Sequence, residues 1–224
     1  MRKLIEKSIV IASHNDGKIN EIRNLIQPLD FKVKSSLELG LIIPEETGNT
    51  FEENAIIKAV SASQVTAMPA LADDSGLVVD ALGGKPGIYS ARWAETSSGK
   101  RDFYVAMQKV ENALLAINAH TSPLRSAYFI SVLCLAWPDG CVELFRGRVD
   151  GTIVWPPRGK LGFGYDPIFQ PKGCDRTFGE MTEQEKNGDI TEKILSTLDD
   201  TVLLSHRSRA LKSFLDGCLS GDDQ

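Results

Sequence analysis

The sequence has few cysteines, no long apolar run and no excess of positive charge, and each shortage excludes a class of protein. Its four cysteines form no C-x-x-C pair and have no histidine at zinc-like spacing, which argues against a structural zinc site and predicts reduced thiols. No apolar stretch approaches the ~20 residues of a membrane span. With 25 Lys and Arg against 30 Asp and Glu, the formal net charge of -5 disfavours a nucleic acid polymer as partner.

Signals for secretion and for subdivision of the chain are missing as well. The apolar run at residues 9–12 is shorter than the ~7 residues of a signal-peptide core, so we expect a soluble, cytoplasmic protein without membrane contact. The sequence contains no internal repeat, low-complexity tract or long linker. We therefore expect residues 1–224 to form a single domain with one substantial core.

Strand and helix patterns alternate in the first half of the chain. The β-branched run at residues 8–12 leads into a helical pattern, and residues 31–35 alternate as a second strand. Residues 50–53, Thr-Phe-Glu-Glu, have the spacing of a capping box, in which a Thr and a Glu cap each other's backbone amides, and predict a helix to about residue 67. Residues 70–74 then read as a short strand that ends in carboxylates.

The second half predicts a helix, a long hairpin and a closing helix. Apolar residues recur at helical spacing over residues 101–118. Residues 127–137 and 142–154 flank a Pro-Asp-Gly turn, which predicts a β-hairpin. Residues 203–215 are helical in pattern, with Gly217 placed to end the helix. The alternation followed by a hairpin indicates an α/β fold with a mixed sheet.

The loop between the first strand and the first helix is a candidate anion site. Residues 13–18 read Ser-His-Asn-Asp-Gly-Lys, and backbone amides at a helix N-terminus beside a lysine suit phosphate. The segment matches neither the P-loop nor the G-x-G-x-x-G fingerprint. An ordinary polar connection with a capping residue is the alternative interpretation.

Two adjacent carboxylates, Asp73 and Asp74, lie between apolar residues, where burial is costly without a partner. A divalent metal supplies one, and hard oxygen ligands suit magnesium. The alternative is a solvated acidic turn. Glu52 and Glu53 could complete such a site, although acidic residues in the first turn of a helix are also favoured by its dipole.

Two later segments could bind a base. Residues 162–169, Gly-Phe-Gly-Tyr-Asp-Pro-Ile-Phe, combine glycines that let backbone approach a ligand with aromatic rings that stack on one, although a plain turn into a strand is the alternative. Residues 205–207, Ser-His-Arg, place two side chains that could donate hydrogen bonds to a purine at a helix start. Such a pair is also common as a solvated helix end.

Taken together, the segments resemble the inosine triphosphate pyrophosphatase family, which converts ITP, dITP and XTP to monophosphate and pyrophosphate. The matching motifs span residues 13–207 in the family's order. The resemblance implies an elongated central mixed β-sheet flanked by helices, with two lobes and the active site in the cleft between them. It also implies Mg²⁺ as cofactor, a nucleoside triphosphate as ligand and a homodimer.

The resemblance also implies a role for individual residues. Asp74 would be the catalytic proton acceptor, and Glu53 and Asp74 would hold the metal. The substrate would be bound by Ser13, His14, Asn15, Asp16, Gly17, Lys18, Ser75, Phe163, Gly164, Tyr165, Asp166, Lys186, His206 and Arg207. His206 and Arg207 would read the purine edge, favouring a 6-keto group over the amino group of adenine.

The chain departs from the family pattern in two places. His14 stands where the family commonly has glycine. Residues 187–204 lie between Lys186 and the Ser-His-Arg motif, where the family has a few residues, which predicts either an inserted segment or a displaced Lys186. Two other functions stay open: a sibling pyrophosphatase acting on modified pyrimidine triphosphates, and a nucleotide sensor without turnover.

Overall fold

The computed structural model describes residues 1–26, 31–187 and 205–219, which form a six-stranded mixed sheet flanked by helices. The strands are β1 (Ser8–Ile11), β2 (Lys32–Ser35), β3 (Ala70–Val79), β4 (Ser126–Ala136), β5 (Val142–Ile153) and β6 (Phe169–Pro171), in the spatial order β2-β1-β3-β4-β5-β6. The helices are α1 (Asp16–Ile26), α2 (Phe51–Thr66), α3 (Ser90–Trp93), α4 (Phe103–Ala116), α5 (Glu183–Asn187) and α6 (His206–Cys218). The predicted α/β fold is confirmed.

The strand β3 differs from the prediction, because it does not end at the carboxylates. It runs through Asp73 and Asp74 to Val79, and pairs along its whole length with β4 in antiparallel register. On its other side, the parallel strand β1 reaches only as far as Leu71. Residues 85–90 cover the far part of this edge, at residues 77–79, so the open part lies between β1 and this segment and faces a cleft beside the two carboxylates.

Strand alternation gives β3 two different faces. On one face Leu71 and Leu77 belong to two separate apolar clusters, and Asp73 and Ser75 lie between them. The opposite face carries Asp74 in line with the small residues that pack against α2. Two apolar regions at the ends of the strand, with a polar gap between them, match the expected two lobes and cleft.

The predicted elements of the middle of the chain are present, with one local difference. The hairpin of β4 and β5 and the helix α4, capped by Asp102, lie where the patterns placed them. The Thr50 hydroxyl accepts the Glu53 amide at 3.1 Å, as a capping box requires. The Glu53 carboxylate, however, accepts the amide of Asn49 at 2.6 Å, so the reciprocal bond lies one residue earlier than predicted.

The last helix continues beyond the predicted end. Gly217 does not end α6, which runs to Cys218. A Cβ at position 217 would displace the flexible Met1 side chain and approach the Phe145 ring at 3.1 Å, so the glycine lies at a closely packed point inside the helix. The predicted start at residues 203–204 and all of the predicted insertion at 187–204 except Asn187 lie outside the described residues. In the described part of the chain, no helix is long and apolar enough to cross a membrane.

Candidate active site

The loop before α1 is organised as a capped helix start. Asn15 caps the helix, since its side-chain oxygen accepts the amide of Lys18 at 3.1 Å, and Ser13 Oγ accepts the amide of Asn15 at 3.1 Å. His14 Nε2 forms a hydrogen bond of 2.8 Å with the carbonyl oxygen of Leu41. The loop is therefore fixed at both ends, and its lysine is presented to the cleft.

A cavity of about 470 Å³ opens beside this loop and beside the open edge of β3. Ser13, His14, Asn15 and Lys18 line it, together with Asp73, Asp74 and Ser75. The other two loop residues predicted to bind substrate are not among its lining residues: Asp16 is exposed, and Gly17 lies against the Phe163 ring. A cavity with amides of a helix start and a lysine on one wall can hold phosphate groups.

Asp73 is completely surrounded by donors. Its Oδ2 is 2.9 Å from Lys18 Nζ and 3.4 Å from Arg207 Nε, and accepts the Ser75 hydroxyl at 2.9 Å. Its Oδ1 accepts the Ser131 hydroxyl at 2.6 Å. Complete burial opposes ionisation, but Lys18, Arg207 and Ser131 together hold the pKa of Asp73 well below its ordinary value. This carboxylate is ionised and structural.

Asp74 has one bonded oxygen and one without a partner. Lys58 Nζ donates to Asp74 Oδ1 at 2.7 Å, while Asp74 Oδ2 is buried and has no hydrogen-bond partner among the described residues. Burial raises the pKa of Asp74, and Lys58 offsets this in part. A carboxylate with a raised pKa and an unbonded oxygen can accept a proton or bind a cation.

Lys58 joins Asp74 to a second carboxylate that sequence reasoning did not single out. Its ammonium also donates to Glu46 Oε1 at 2.7 Å and to the Asp73 carbonyl at 3.0 Å. Burial opposes the charge of Lys58, but Asp74 and Glu46 raise its pKa above the ordinary value. Glu46 and Asp74 therefore converge on one buried cation.

The structure tests how well these residues suit a divalent cation. The unbonded Asp74 Oδ2 fits one, and the ammonium of Lys58 shows that the surroundings accommodate a positive charge. Glu53 is exposed and caps Asn49, and Glu52 pairs with Arg146 at 2.7 Å. Within the described ranges, no group of three or more His, Cys, Asp or Glu side chains is placed to hold a metal ion, so substrate oxygens would have to complete the coordination.

A second, smaller cavity of about 80 Å³ adjoins the first, and Asn15, Lys18, Ser75 and Ala91 line both. Eight of its lining residues beyond the phosphate loop were predicted from the sequence to bind substrate: Ser75, Phe163, Gly164, Tyr165, Asp166, Lys186, His206 and Arg207. The rings of Phe103, Phe129 and Phe178 were missed. Aromatic walls and a narrow volume suit a planar base.

The segment at residues 162–166 folds around a buried ion pair. Lys186 Nζ lies 3.1 Å from Asp166 Oδ2, which also accepts the amide of Phe163 at 3.2 Å. The carbonyl of Lys186 accepts the amide of Ser205 at 2.9 Å, which joins α5 to the start of α6. Lys186 is therefore not displaced from the cleft. Tyr165 donates to the Ser90 carbonyl at 2.8 Å and is largely a core residue.

His206 lines the smaller cavity and contains a buried polar atom without a partner among the described residues. Its ring stacks on Phe129, with centroids 4.8 Å apart and planes inclined by 12°. Complete burial lowers the pKa of His206 well below its ordinary value, so the imidazole is neutral. Its Nδ1 is buried without a hydrogen-bond partner in the described residues. This atom can bind a polar group on the edge of a base.

Arg207 is held by four groups at once. It pairs with Glu21 through Nη1, lies 3.4 Å from Asp73 Oδ2 through Nε, and donates to Ser75 Oγ at 3.0 Å through Nη2. Its guanidinium also lies 5.4 Å from the centre of the Phe163 ring. Glu21 is buried, and it completes a network that fixes the guanidinium plane.

Some of the missed residues left a signal in the sequence. Lys58 lies at helical spacing between Ala55, Ala59 and Ala62, which are buried, so a single lysine interrupts a face of small residues. A charge on such a face needs a partner. Glu21 is similarly placed one turn after Lys18. Glu46, in an irregular segment, has no comparable local pattern.

A family model, related sequences and solved structures all match this chain and indicate the same family. The model of the Ham1 family matches residues 9–217. A dITP/XTP pyrophosphatase of Rhizobium meliloti (strain 1021) is 59% identical over 219 residues, covering 98% of this chain and 99% of that protein. A dITP/XTP pyrophosphatase of Agrobacterium fabrum is 58% identical over 219 residues, with the same coverage.

Solved structures give the same result for the fold. A Ham1 protein from Coxiella burnetii is 38% identical with a TM-score of 0.77, and the match covers 94% of this chain and 99% of that one. The Staphylococcus aureus Ham1 protein is 37% identical with a TM-score of 0.73 and the same coverage. The similarity therefore extends over both cavities and the sheet between them.

Proposed function

The chain belongs to the Ham1 family, and on this premise we propose how its cleft works. The protein is a nucleoside-triphosphate pyrophosphatase that hydrolyses noncanonical purine nucleoside triphosphates, namely ITP, dITP and XTP, to the monophosphate and pyrophosphate. One observation carries the mechanism: Asp74 has a buried oxygen without a hydrogen-bond partner among the described residues, and the residue lines a cavity that has the predicted phosphate-binding loop on one side and adjoins a base-sized pocket.

Asp74 is the proton acceptor in this proposal. Its raised pKa and its free Oδ2 suit a group that orients a water molecule and takes its proton, while Lys58 fixes the other oxygen. The water oxygen forms a bond to the α-phosphorus as the bond from that phosphorus to the bridging oxygen breaks, and pyrophosphate leaves. Lys18, held by Asp73, lies at the junction of the two cavities, where the α-phosphate would pass.

Magnesium is the proposed cofactor. Bound to the phosphates, it would neutralise their charge and favour departure of pyrophosphate. Asp74 would hold it, with Glu53 as the resemblance implies, although Glu46 is the carboxylate that shares Lys58 with Asp74. The Mg²⁺ concentration needed for half-maximal activity decides between Glu46 and Glu53. It should rise in Glu46→Gln if Glu46 binds the metal, and in Glu53→Gln if Glu53 does.

The base is selected in the smaller cavity. A purine stacked among the aromatic rings would place its edge toward His206 Nδ1 and toward the start of α6, where Arg207 lies. A 6-keto group accepts hydrogen bonds from these residues, whereas the amino group of adenine would leave donor facing donor. Because the pocket is buried, such a mismatch is costly. Lys186 and Asp166 would line the sugar and base side of the same pocket.

Several broader properties belong to the same proposal. We expect one domain, supported by a sheet that runs continuously from β2 to β6 and by a family match over residues 9–217. A homodimer follows from the resemblance, whereas a location in the cytoplasm without a nucleic acid polymer or a membrane as partner follows from the net charge and the sequence patterns. Light scattering of the purified protein at twice the chain's mass of 24.5 kDa would support the homodimer.

A panel of triphosphates tests the function. With Mg²⁺, pyrophosphate release from dITP, ITP and XTP should exceed that from ATP by about 100-fold or more in kcat/KM. Equal rates on ITP and GTP would contradict the proposed selectivity for noncanonical over canonical purine nucleotides. A preference for modified pyrimidine triphosphates would favour the sibling activity, and binding without hydrolysis of any triphosphate would favour the sensor.

A further inference from the structure

Five basic side chains from the described residues line the two cavities, and four of them already have carboxylate partners. Lys18 is paired with Asp73, Lys58 with Asp74 and Glu46, Lys186 with Asp166, and Arg207 with Glu21 and Asp73. The fifth is Arg101, which lines the larger cavity. Within the described residues its guanidinium forms no ion pair and no hydrogen bond.

The difference between the four paired basic side chains and Arg101 affects how each can bind a polyanionic substrate. A paired cation has its charge largely compensated by its carboxylate, and pulling it away leaves that carboxylate uncompensated in a buried site. A triphosphate carries several negative charges. A cation that is free before substrate arrives can bind a phosphate oxygen without breaking an existing pair.

The backbone around Arg101 is well anchored. The amide of Asp102 donates to the Ala94 carbonyl at 2.7 Å, and the Asp102 side chain caps α4 by accepting the amide of Tyr104 at 2.9 Å. Phe103 then packs edge-on against Tyr165, with ring centroids 5.6 Å apart. Arg101 is thus held at the rim of the cleft by the start of α4, with its exposed side chain free to reach inward.

The position of Arg101 also indicates which phosphates it would contact. It lines the 470 Å³ cavity and not the 80 Å³ base pocket. Lys18 and Ser75 line both and mark the junction, where the α-phosphate of a nucleotide bound in the base pocket would lie. The outer phosphates extend from this junction into the larger cavity.

We propose that Arg101 binds the outer phosphates of the substrate, which form the pyrophosphate leaving group. The inference rests on the proposed function for the identity of the leaving group. Its guanidinium would stabilise charge that develops on the leaving oxygens and would hold pyrophosphate until release. Arg101 is then a substrate-binding residue contributed by the segment that leads into α4, and it acts in the larger cavity.

Binding of inorganic tripolyphosphate in the presence of Mg²⁺ tests the inference without requiring turnover. Calorimetric titration of Arg101→Gln should show a dissociation constant raised about tenfold, the size expected for one lost charge-assisted contact at a partly solvated site. The affinity for dIMP, which lacks the outer phosphates, should stay within about twofold. Arg101→Lys should fall between Arg101→Gln and the unmodified protein.

Lys100→Gln is the matched control. It removes the same charge at the preceding residue, whose side chain lines neither cavity. It should bind tripolyphosphate like the unmodified protein. Unchanged tripolyphosphate affinity in Arg101→Gln would overturn the inference, as would an equal loss in Lys100→Gln, which would indicate only a general charge effect. Loss of stability with unchanged affinity would also overturn it and would assign the Arg101 side chain a structural role only.

The kinetics distinguish this inference from the proposed function. Arg101→Gln should lower kcat/KM for dITP by about tenfold, like the tripolyphosphate affinity. The unmodified protein could hydrolyse no triphosphate while Arg101→Gln still weakens the binding of tripolyphosphate. In that case the proposed function fails and the phosphate contact stands.

Discussion

The two faces of β3 treat neighbouring carboxylates in opposite ways. On the face toward α1 and α6, Asp73 accepts bonds from two cations and two hydroxyls and remains ionised. On the face toward α2, Asp74 has a single cation partner, an unbonded oxygen and a raised pKa. A strand that alternates sides thus separates a carboxylate that holds the site together from one that can react.

The difference shows how one strand can serve both ends of the substrate. The Asp73 face is a closed network, which connects the phosphate-loop lysine Lys18 to the base-pocket arginine Arg207 through one carboxylate oxygen. The Asp74 face is open and joins Lys58 to Glu46 beside the larger cavity. The bonds around Asp73 hold the first face rigid, whereas Asp74 on the second face can exchange a proton or a cation.

The largest expected effect lies on the open face. Asp74→Asn should lower kcat for dITP by about 10³-fold, because the amide cannot accept the proton of the attacking water. Nucleotide binding should remain, and the free energy of unfolding should change little, since the ionised Asp74 is itself disfavoured by burial. Turnover of the variant at more than about a tenth of the normal rate would contradict the assignment.

Asp73→Asn should instead be a stability variant. It leaves Lys18 and Arg207 without their shared buried carboxylate, which should cost about 3–5 kcal/mol of unfolding free energy in urea denaturation. Asp74→Asn, one residue away, is the matched control. Equal stability of the two variants would remove the distinction between the faces.

Glu21→Gln should loosen the closed network without dismantling it. Arg207 keeps Asp73 and Ser75 but loses its second carboxylate, so its guanidinium is less firmly oriented toward the base. The ratio of kcat/KM for dITP over dATP should fall about tenfold, mainly through loss on dITP. Asn20→Ala, an exposed neighbour on α1, should leave this ratio unchanged.

His14→Gly should have the smallest effect. The substitution removes the hydrogen bond to the Leu41 carbonyl, which ties the phosphate loop to the segment leading to Glu46. The expected result is a KM for dITP raised about two- to fivefold with kcat nearly unchanged, corresponding to one modest hydrogen bond. A fall in kcat as large as that of Asp74→Asn would show that His14 takes part in the chemistry.

Much of this arrangement could be predicted from the sequence, because it depends on local patterns. Periodicity predicted the hairpin and α4, and adjacent carboxylates in an apolar run pointed to two residues that line the larger cavity. The length of β3 could not be predicted locally, because its pairing with β4 carries it through polar residues. Three further residues could not be placed from the sequence: Lys58, Glu46 and Arg101. Tertiary contacts between α2, the sheet and irregular segments bring the first two to Asp74 and the third to the larger cavity.

In the proposed reaction, water attacks the α-phosphorus and pyrophosphate leaves. Hydrolysis of dITP in water enriched in oxygen-18, with both products examined by mass spectrometry, tests it most directly. We expect one labelled oxygen in dIMP and none in pyrophosphate. Label in pyrophosphate, or stepwise release of inorganic phosphate, would contradict it.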